Sequence, residues 1–258
     1  MSIAYGVQKS GRERVVILVK ALPHVGQKHG ETVCCAGVTL DGEWRRQYPI
    51  HFRRLKDGFS RWQWIEYDWI APGSDDRRKE SRRVQEDTIK TLEIMPERDR
   101  ANFLNPIIMN STDEAASKGM TLALVQPKSV KFTYKKKTAD QLDKERAAYQ
   151  EAARQKSLFD ADLNALEPCP YAFYFDWTDQ DGKSHKATCD DWETAATFYR
   201  RRMNKGESEA LISMNYTFGE EYPKKGMAFA MGTHSRRPEQ WLLVGLIRLD
   251  QTAQLSLL

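Results

Sequence analysis

Apolar and polar positions alternate with a period of two through most of the first 95 residues, the spacing of β-strands. "RVVILVKA" (14–21) is a short run rich in β-branched residues, which predicts a buried strand. "ETVCCAGVTLDGEWRRQYPI" (31–50) predicts two strands joined at Asp41-Gly42, a dipeptide that favours a type I′ hairpin. "RWQWIEYDWIA" (61–71) spreads its aromatics and Ile65 over both faces of a further strand. After a break at "PGSDD", "ESRRVQEDTIKTLEIM" (80–95) returns to extended structure. Strands this short with connections this brief suit a small barrel.

The period then changes. "PERDRANFLN" and "STDEAASKG" carry helix signals, with Pro96 in a first turn, Ser111 or Thr112 as a cap and Gly119 as a stop. "MTLALVQPKSVKFTYKKK" (120–137) is extended, and Val130, Phe132 and Tyr134 alternate with Lys131, Thr133 and Lys135 in the manner of a half-buried strand. "TADQLDKERAAYQEAARQKSLF" (138–159) predicts a polar helix with a narrow apolar stripe, a linker or a partner-facing arm. A hairpin is expected around Asp181-Gly182, with Phe173 and Phe175 on one face and Ala172, Tyr174 and Asp176 on the other. Two helices follow, the first capped by Asp190 or Asp191, and "GMAFAMGTH" with "QWLLVGLIRL" closes the chain as paired strands, with Pro238 in the loop before the last one. This pattern divides the chain into a mainly β part (1–135) with a helical insertion at 96–119, a helical linker or arm (136–165) and a C-terminal α+β module (166–258).

Composition narrows the setting. No run approaches the roughly 18 apolar residues of a membrane span. Lys9, Arg12, Glu13 and Arg14 interrupt any secretory signal, so no membrane partner and a cytoplasmic location are expected. Four cysteines (34, 35, 169 and 189) are too scattered for a disulfide framework, and reduced thiols are expected. The net charge of +4 is mild, but cations cluster in "RRLKDGFSR", "RRKESRR", "KFTYKKK", "YRRRMNK" and "SRRP". Such clusters mark solvated faces or polyanion-binding surfaces.

Catalytic and metal signatures are sparse. Cys169, His185 and Cys189 resemble a ligand set, but a fourth ligand and a paired Cys-x2-Cys knuckle are missing. No metal and no other cofactor is therefore expected. Glu66 and Asp68 read as the polar face of a strand, and Asp190, Asp191 and Glu193 as helix capping. There is no Gly-x-Ser-x-Gly elbow, Gly-x-Gly-x-x-Gly turn or Walker loop. The loop "PHVGQKHGET" (23–32) is richest in polar chemistry, and His24, Lys28, Glu31 and Thr32 are its candidate catalytic groups. Its Gly26, Lys28 and Glu31 resemble the Gly-x-Lys-x-x-Glu-x-Arg motif of ASCH domains, with Val33 where that family has arginine. The resemblance implies a PUA-like barrel that binds RNA or acts on modified nucleobases.

Tryptophans beside arginines supply the remaining clue, because bases stack on indoles while guanidinium groups neutralise phosphates. The nucleic-acid-binding candidates are Arg45, Arg46, Arg53, Arg54, Arg61, Trp62, Trp64, His234, Arg236, Arg237 and Trp241. Several segments, among them "EWRRQYPIHFRRL", "PYAFYFDWTDQDGKSHKATCDDWE" and "MGTHSRRPEQWLLVGLIR", resemble a widespread prokaryotic family over most of residues 16–248. The expected fold is thus α+β, a PUA-like or OB-like β-barrel with helical insertions followed by an α+β module. The expected function is binding of single-stranded nucleic acid or flipped bases, within a prokaryotic genome-defence assembly. Two alternatives stand beside it: an enzyme acting on nucleic acid or a modified nucleoside, and an adaptor subunit that binds acidic protein partners.

Overall fold

The N-terminal alternation closes on itself. A computed structural model describes residues 9–22, 24–26, 30–51, 58–73, 76, 78–157, 167–234 and 237–251. Its first strands are β1 (Ser10–Lys20), β2 (His24–Gly26), β3 (Gly30–Val38), β4 (Trp44–Ile50), β5 (Gln63–Ile70), β6 (Ser81–Val84) and β7 (Lys90–Ile94). Five of them form a closed ring in the order β1-β3-β4-β6-β5 and back to β1. The β4–β6 pair is parallel and the other pairs of the ring are antiparallel. Inside lie Val15, Ile17, Val33, Cys35, Ile50, Ile65, Tyr67 and Trp69, so the barrel is packed solid. Glu66 and Asp68 project outward beside Arg12, as the polar face of β5 should.

The β3–β4 hairpin turns at Asp41-Gly42, but not as type I′. Gly42 is left-handed (φ +81) while Asp41 is not, because an extra loop residue relieves it. The Thr39 carbonyl accepts the Gly42 amide at 3.0 Å and the Thr39 amide donates to Glu43 at 2.9 Å. This is a type I turn followed by a left-handed glycine. The Asp181-Gly182 turn repeats it, with Gly182 at φ +87 and the same two bonds joining Asp179 to Gly182 and Lys183.

The rest of the chain builds two further sheets. After α1 (Glu97–Leu104), β8 (Ile108–Met109) and α2 (Thr112–Ser117) come β9 (Leu122–Val125), β10 (Ser129–Lys136) and α3 (Ala139–Ser157). Ser111 caps α2 by accepting the Glu114 amide, and left-handed Gly119 follows it. Pro96 stands one residue outside α1, as its cap. Then follow β11 (Tyr171–Thr178), β12 (Ser184–Thr188), α4 (Trp192–Lys205), α5 (Glu207–Tyr216), a π-type turn, α6 (Tyr222–Lys224), β13 (Met227–His234) and β14 (Arg237–Arg248). One sheet runs β14-β13-β9-β8 and the other β10-β11-β12. Strand pairing therefore changes hands near residue 107: segment 108–135, grouped by pattern with the N-terminal part, hydrogen-bonds to C-terminal strands.

The four-stranded sheet is the middle layer. One face (Leu122, Leu124, Ala228, Ala230, Ile247) covers the outside of β1 at Val16, Leu18 and Val19. That cover is why β1 reads as a continuous apolar run rather than an alternating one. Its other face (Ala123, Val125, Phe229, Met231, Leu243) meets Phe132, Phe173, Phe175 and Trp177, closed by Phe198 and Met214 from the helices. Pro238 lies inside β14, not before it, where the register against β13 is irregular. On an edge strand its missing amide hydrogen costs no pairing. The helix α3 lies against β2 and β3. Among the described residues no helix is long and apolar enough to cross a membrane.

Candidate functional site

Two of the sequence-predicted cations, Arg46 and Arg61, go into the seam between the barrel and the C-terminal part. Arg61, its side chain 10% exposed, donates through Nη2 to both Asp191 oxygens at 2.8 Å and also to the Leu246 carbonyl. Asp191 in turn accepts the Leu246 amide at 2.9 Å and caps α4 through the Glu193 amide at 3.1 Å. Lys20 holds Glu193 at 3.0 Å, and the Leu22 amide donates to the Asp190 carbonyl at 2.8 Å. Burial alone would push Glu193 upward, but the charges of Arg61 and Lys20 outweigh it and hold its carboxyl below the ordinary range. The Asp-Trp-Glu segment is thus a clasp that fastens the C-terminal module to the barrel.

Other candidates are similarly committed. Arg45 bonds Glu13 at 2.8 Å and Glu43 at 2.5 Å. Arg46 is buried and donates to the Thr121 carbonyl at 3.1 Å. Trp62 and Trp64 are buried, with the Arg100 guanidinium 4.6 Å from the first ring and that of Arg14 5.0 Å from the second. Trp241 pairs with Thr233 and packs against the aromatic core. His234 is half-buried opposite Arg237, which is exposed. The expected Arg/Trp binding surface is therefore not assembled from Arg45, Arg46, Arg61, Trp62 and Trp64, whose side chains are buried or ion-paired. Arg53, Arg54 and Arg236 lie outside the described residues.

The loop candidates are only partly visible. Thr32 is buried, its hydroxyl 3.5 Å from that of Tyr48. Lys28 lies outside the described residues, and His24 and Glu31 are described only as backbone, paired with Thr32 and Val25. Among the described residues no group of three His, Cys, Asp or Glu side chains could hold a metal ion. Of the weak metal candidates, His185 stacks on Trp177 at 4.3 Å and bonds buried Asp179 at 2.7 Å. Burial pushes the Cys189 thiol up to about 12 and raises Cys169 as well, the opposite of an activated or ligating thiol.

A different surface is open. The burial of β11 alternates strictly, placing Tyr171, Phe173, Phe175 and Trp177 in the core and Ala172, Tyr174, Asp176 and Thr178 on the other face. Register carries that face onto both neighbours. Tyr174 is flanked by Thr133 and Thr188, Asp176 by Lys131 and Lys186, and Thr178 by Ser129 and Ser184, while Lys135 stands beside Ala172. Three lysines face one carboxylate, and only Lys186 is near it, at 3.6 Å. The result is a hydroxyl-rich, net-positive sheet face with one aromatic ring, Tyr174, near its centre.

At its Lys135 end the sheet face runs into a cavity of about 570 Å³ beneath α3. The helix contributes Gln141, Glu145, Ala148 and Tyr149, the sheet Ala172, Tyr174 and Thr188, and the clasp Leu22 and Asp190. Thr138 and Gln141 fix the start of α3 reciprocally: the Gln141 side chain accepts the Thr138 amide at 3.0 Å and the Thr138 hydroxyl accepts the Gln141 amide at 3.3 Å. Lys137 is neutralised by both Glu145 oxygens, at 2.8 and 2.7 Å.

Two family models match the chain, one described as a domain of unknown function (DUF8758) over residues 11–108 and one as a domain of unknown function (DUF8757) over residues 107–258. They meet where strand pairing passes from the barrel to the C-terminal sheets. No curated protein matches.

Proposed function

The chain belongs to the DUF8757 family, whose model spans more than half of it, and we propose that it binds single-stranded nucleic acid on the open face of β10-β11-β12. The observation that carries this reading is the register itself, which sets Tyr174 at the centre of a net-positive, hydroxyl-bearing sheet face. A single strand needs a ring for a base to stack on and cations spaced along its backbone. The lysines at 131, 135 and 186 supply the charge, and the serine and threonine hydroxyls supply donors and acceptors for sugar, phosphate or base edges. An open sheet face suits unpaired strands better than duplex, whose grooves take helices or narrow ribbons. The barrel, in this reading of the PUA-like or OB-like kind, is lined inside by buried side chains and serves as the mount for this face. Free thiols at all four cysteines fit a cytoplasmic site of action, and a genome-defence assembly is the setting we favour.

Fluorescence anisotropy with a labelled oligonucleotide tests the reading. Binding should weaken with added salt, and each lysine replaced by glutamate should lower the slope of log K against log salt by about 0.7 or more. Tyr174→Ala should weaken binding at every salt concentration, whereas Arg98→Glu, at an exposed position on α1, should not. Binding that is absent, or equally strong in the Lys131→Glu/Lys135→Glu/Lys186→Glu variant, overturns it.

A further inference from the structure

We infer that the cavity beneath α3 receives one unstacked nucleobase of a strand lying on the sheet, with its phosphate left outside at Lys135. This inference rests on the binding reading and assigns the end of the same site. Continuity is the first support: Lys135, Ala172, Tyr174 and Thr188 belong both to the open face and to the cavity wall, so a strand crossing the sheet toward α3 arrives at the opening.

Size and shape are the second. A volume of about 570 Å³ lies within the roughly 300–1,000 Å³ range of small-ligand pockets and admits a nucleoside. Ala172 leaves the floor low beside Tyr174, and Tyr149 adds a ring from the helix. The barrel end is bounded by Leu22 and Asp190, joined through their backbones.

Charge is the third support and decides the orientation. Within the wall, Lys137 is cancelled by Glu145 and Lys136 lies 3.7 Å from Glu207, so neither pair adds a net cation to the interior. Lys135 has no such partner among the described residues and stands where sheet and cavity meet. A free phosphate or a polyphosphate would need the cation inside; a base with its phosphate at the rim needs it at the mouth. Polar recognition is available from the Gln141 amide hydrogens, since its oxygen is taken by the Thr138 amide, and from the Thr188 hydroxyl.

The test is an abasic scan on a short single-stranded oligonucleotide, each base removed in turn, against the wild type and Ala148→Trp. Ala148 is exposed on α3, so a tryptophan there fills the cavity without entering the core. In the wild type one position should lose about tenfold in affinity when its base is removed, the equivalent of one stacked base. In Ala148→Trp the intact oligonucleotide should bind about tenfold more weakly, removal of that base should change nothing further, and the salt slope should stay the same. Tyr149→Ala gives the same comparison by deletion instead of filling, should the tryptophan disturb the helix. If both variants keep the wild-type profile, the cavity takes no base while the sheet reading stands. If the wild type binds no oligonucleotide at all, both fall together.

Discussion

Arg61 and Asp191 show how much of the molecule hangs on one pair. The guanidinium and carboxylate are both buried, and each also bonds the backbone of Leu246, tying barrel, α4 and β14 at a single point. Removing one partner leaves a charge without compensation in the interior, which costs about 3–5 kcal/mol. Asp191→Asn should therefore lower the denaturant midpoint strongly in chemical unfolding, although an asparagine can still cap α4. Arg61→Met with Asp191→Asn should recover part of the loss, since no buried charge is left. Glu193 beside them is held below the ordinary carboxylate range, so its contribution is complete above that range and is lost as pH falls below it, through the depressed folded value. Thermal midpoints taken down a pH series should fall less steeply below that range in Glu193→Gln than in the wild type. Equal slopes would show that this carboxylate is not coupled to folding.

At the scale of elements, glycines separate two kinds of constraint. Gly182 has left-handed φ and open space around it, so Gly182→Ala should cost about 1 kcal/mol from backbone conformation alone. At Gly37 the φ is unremarkable, but an added Cβ would sit 2.5 Å from the Val16 carbonyl oxygen across the β1–β3 pair. Gly37→Ala should lower the melting temperature more than Gly182→Ala, and a reversed order would refute the steric account. Elements of this kind were legible in the chain: alternation located the barrel strands and β10, and Asp-Gly marked both hairpins. Turn type was not legible, because Asp-Gly serves a type I′ turn and a type I turn with a trailing left-handed glycine equally well. The packing of the tryptophans was not legible for a related reason. An arginine adjacent to a tryptophan in sequence says little about which cation covers which ring, and the guanidinium groups that do so, Arg100 over Trp62 and Arg82 over Trp69, come from distant positions.

At the scale of the whole molecule, the candidate site depends on register, which no local pattern contains. Each half was readable: Lys131, Thr133 and Lys135 on one face of a strand, and Ala172, Tyr174 and Asp176 on one face of another. Only their pairing, Thr133 with Tyr174 and Lys131 with Asp176, makes one surface of them, and the fold leaves that surface open while Arg46 and Arg61 are spent on seams. The most direct test of this division is photocross-linking of a 5-iodouridine-labelled single strand to the full chain, with the modified peptides identified by mass spectrometry. The account predicts adducts on the β11 peptide at Tyr174 and on its β10 and β12 neighbours. Adducts confined to the peptides carrying Trp62, Trp64 and Trp241 would contradict it.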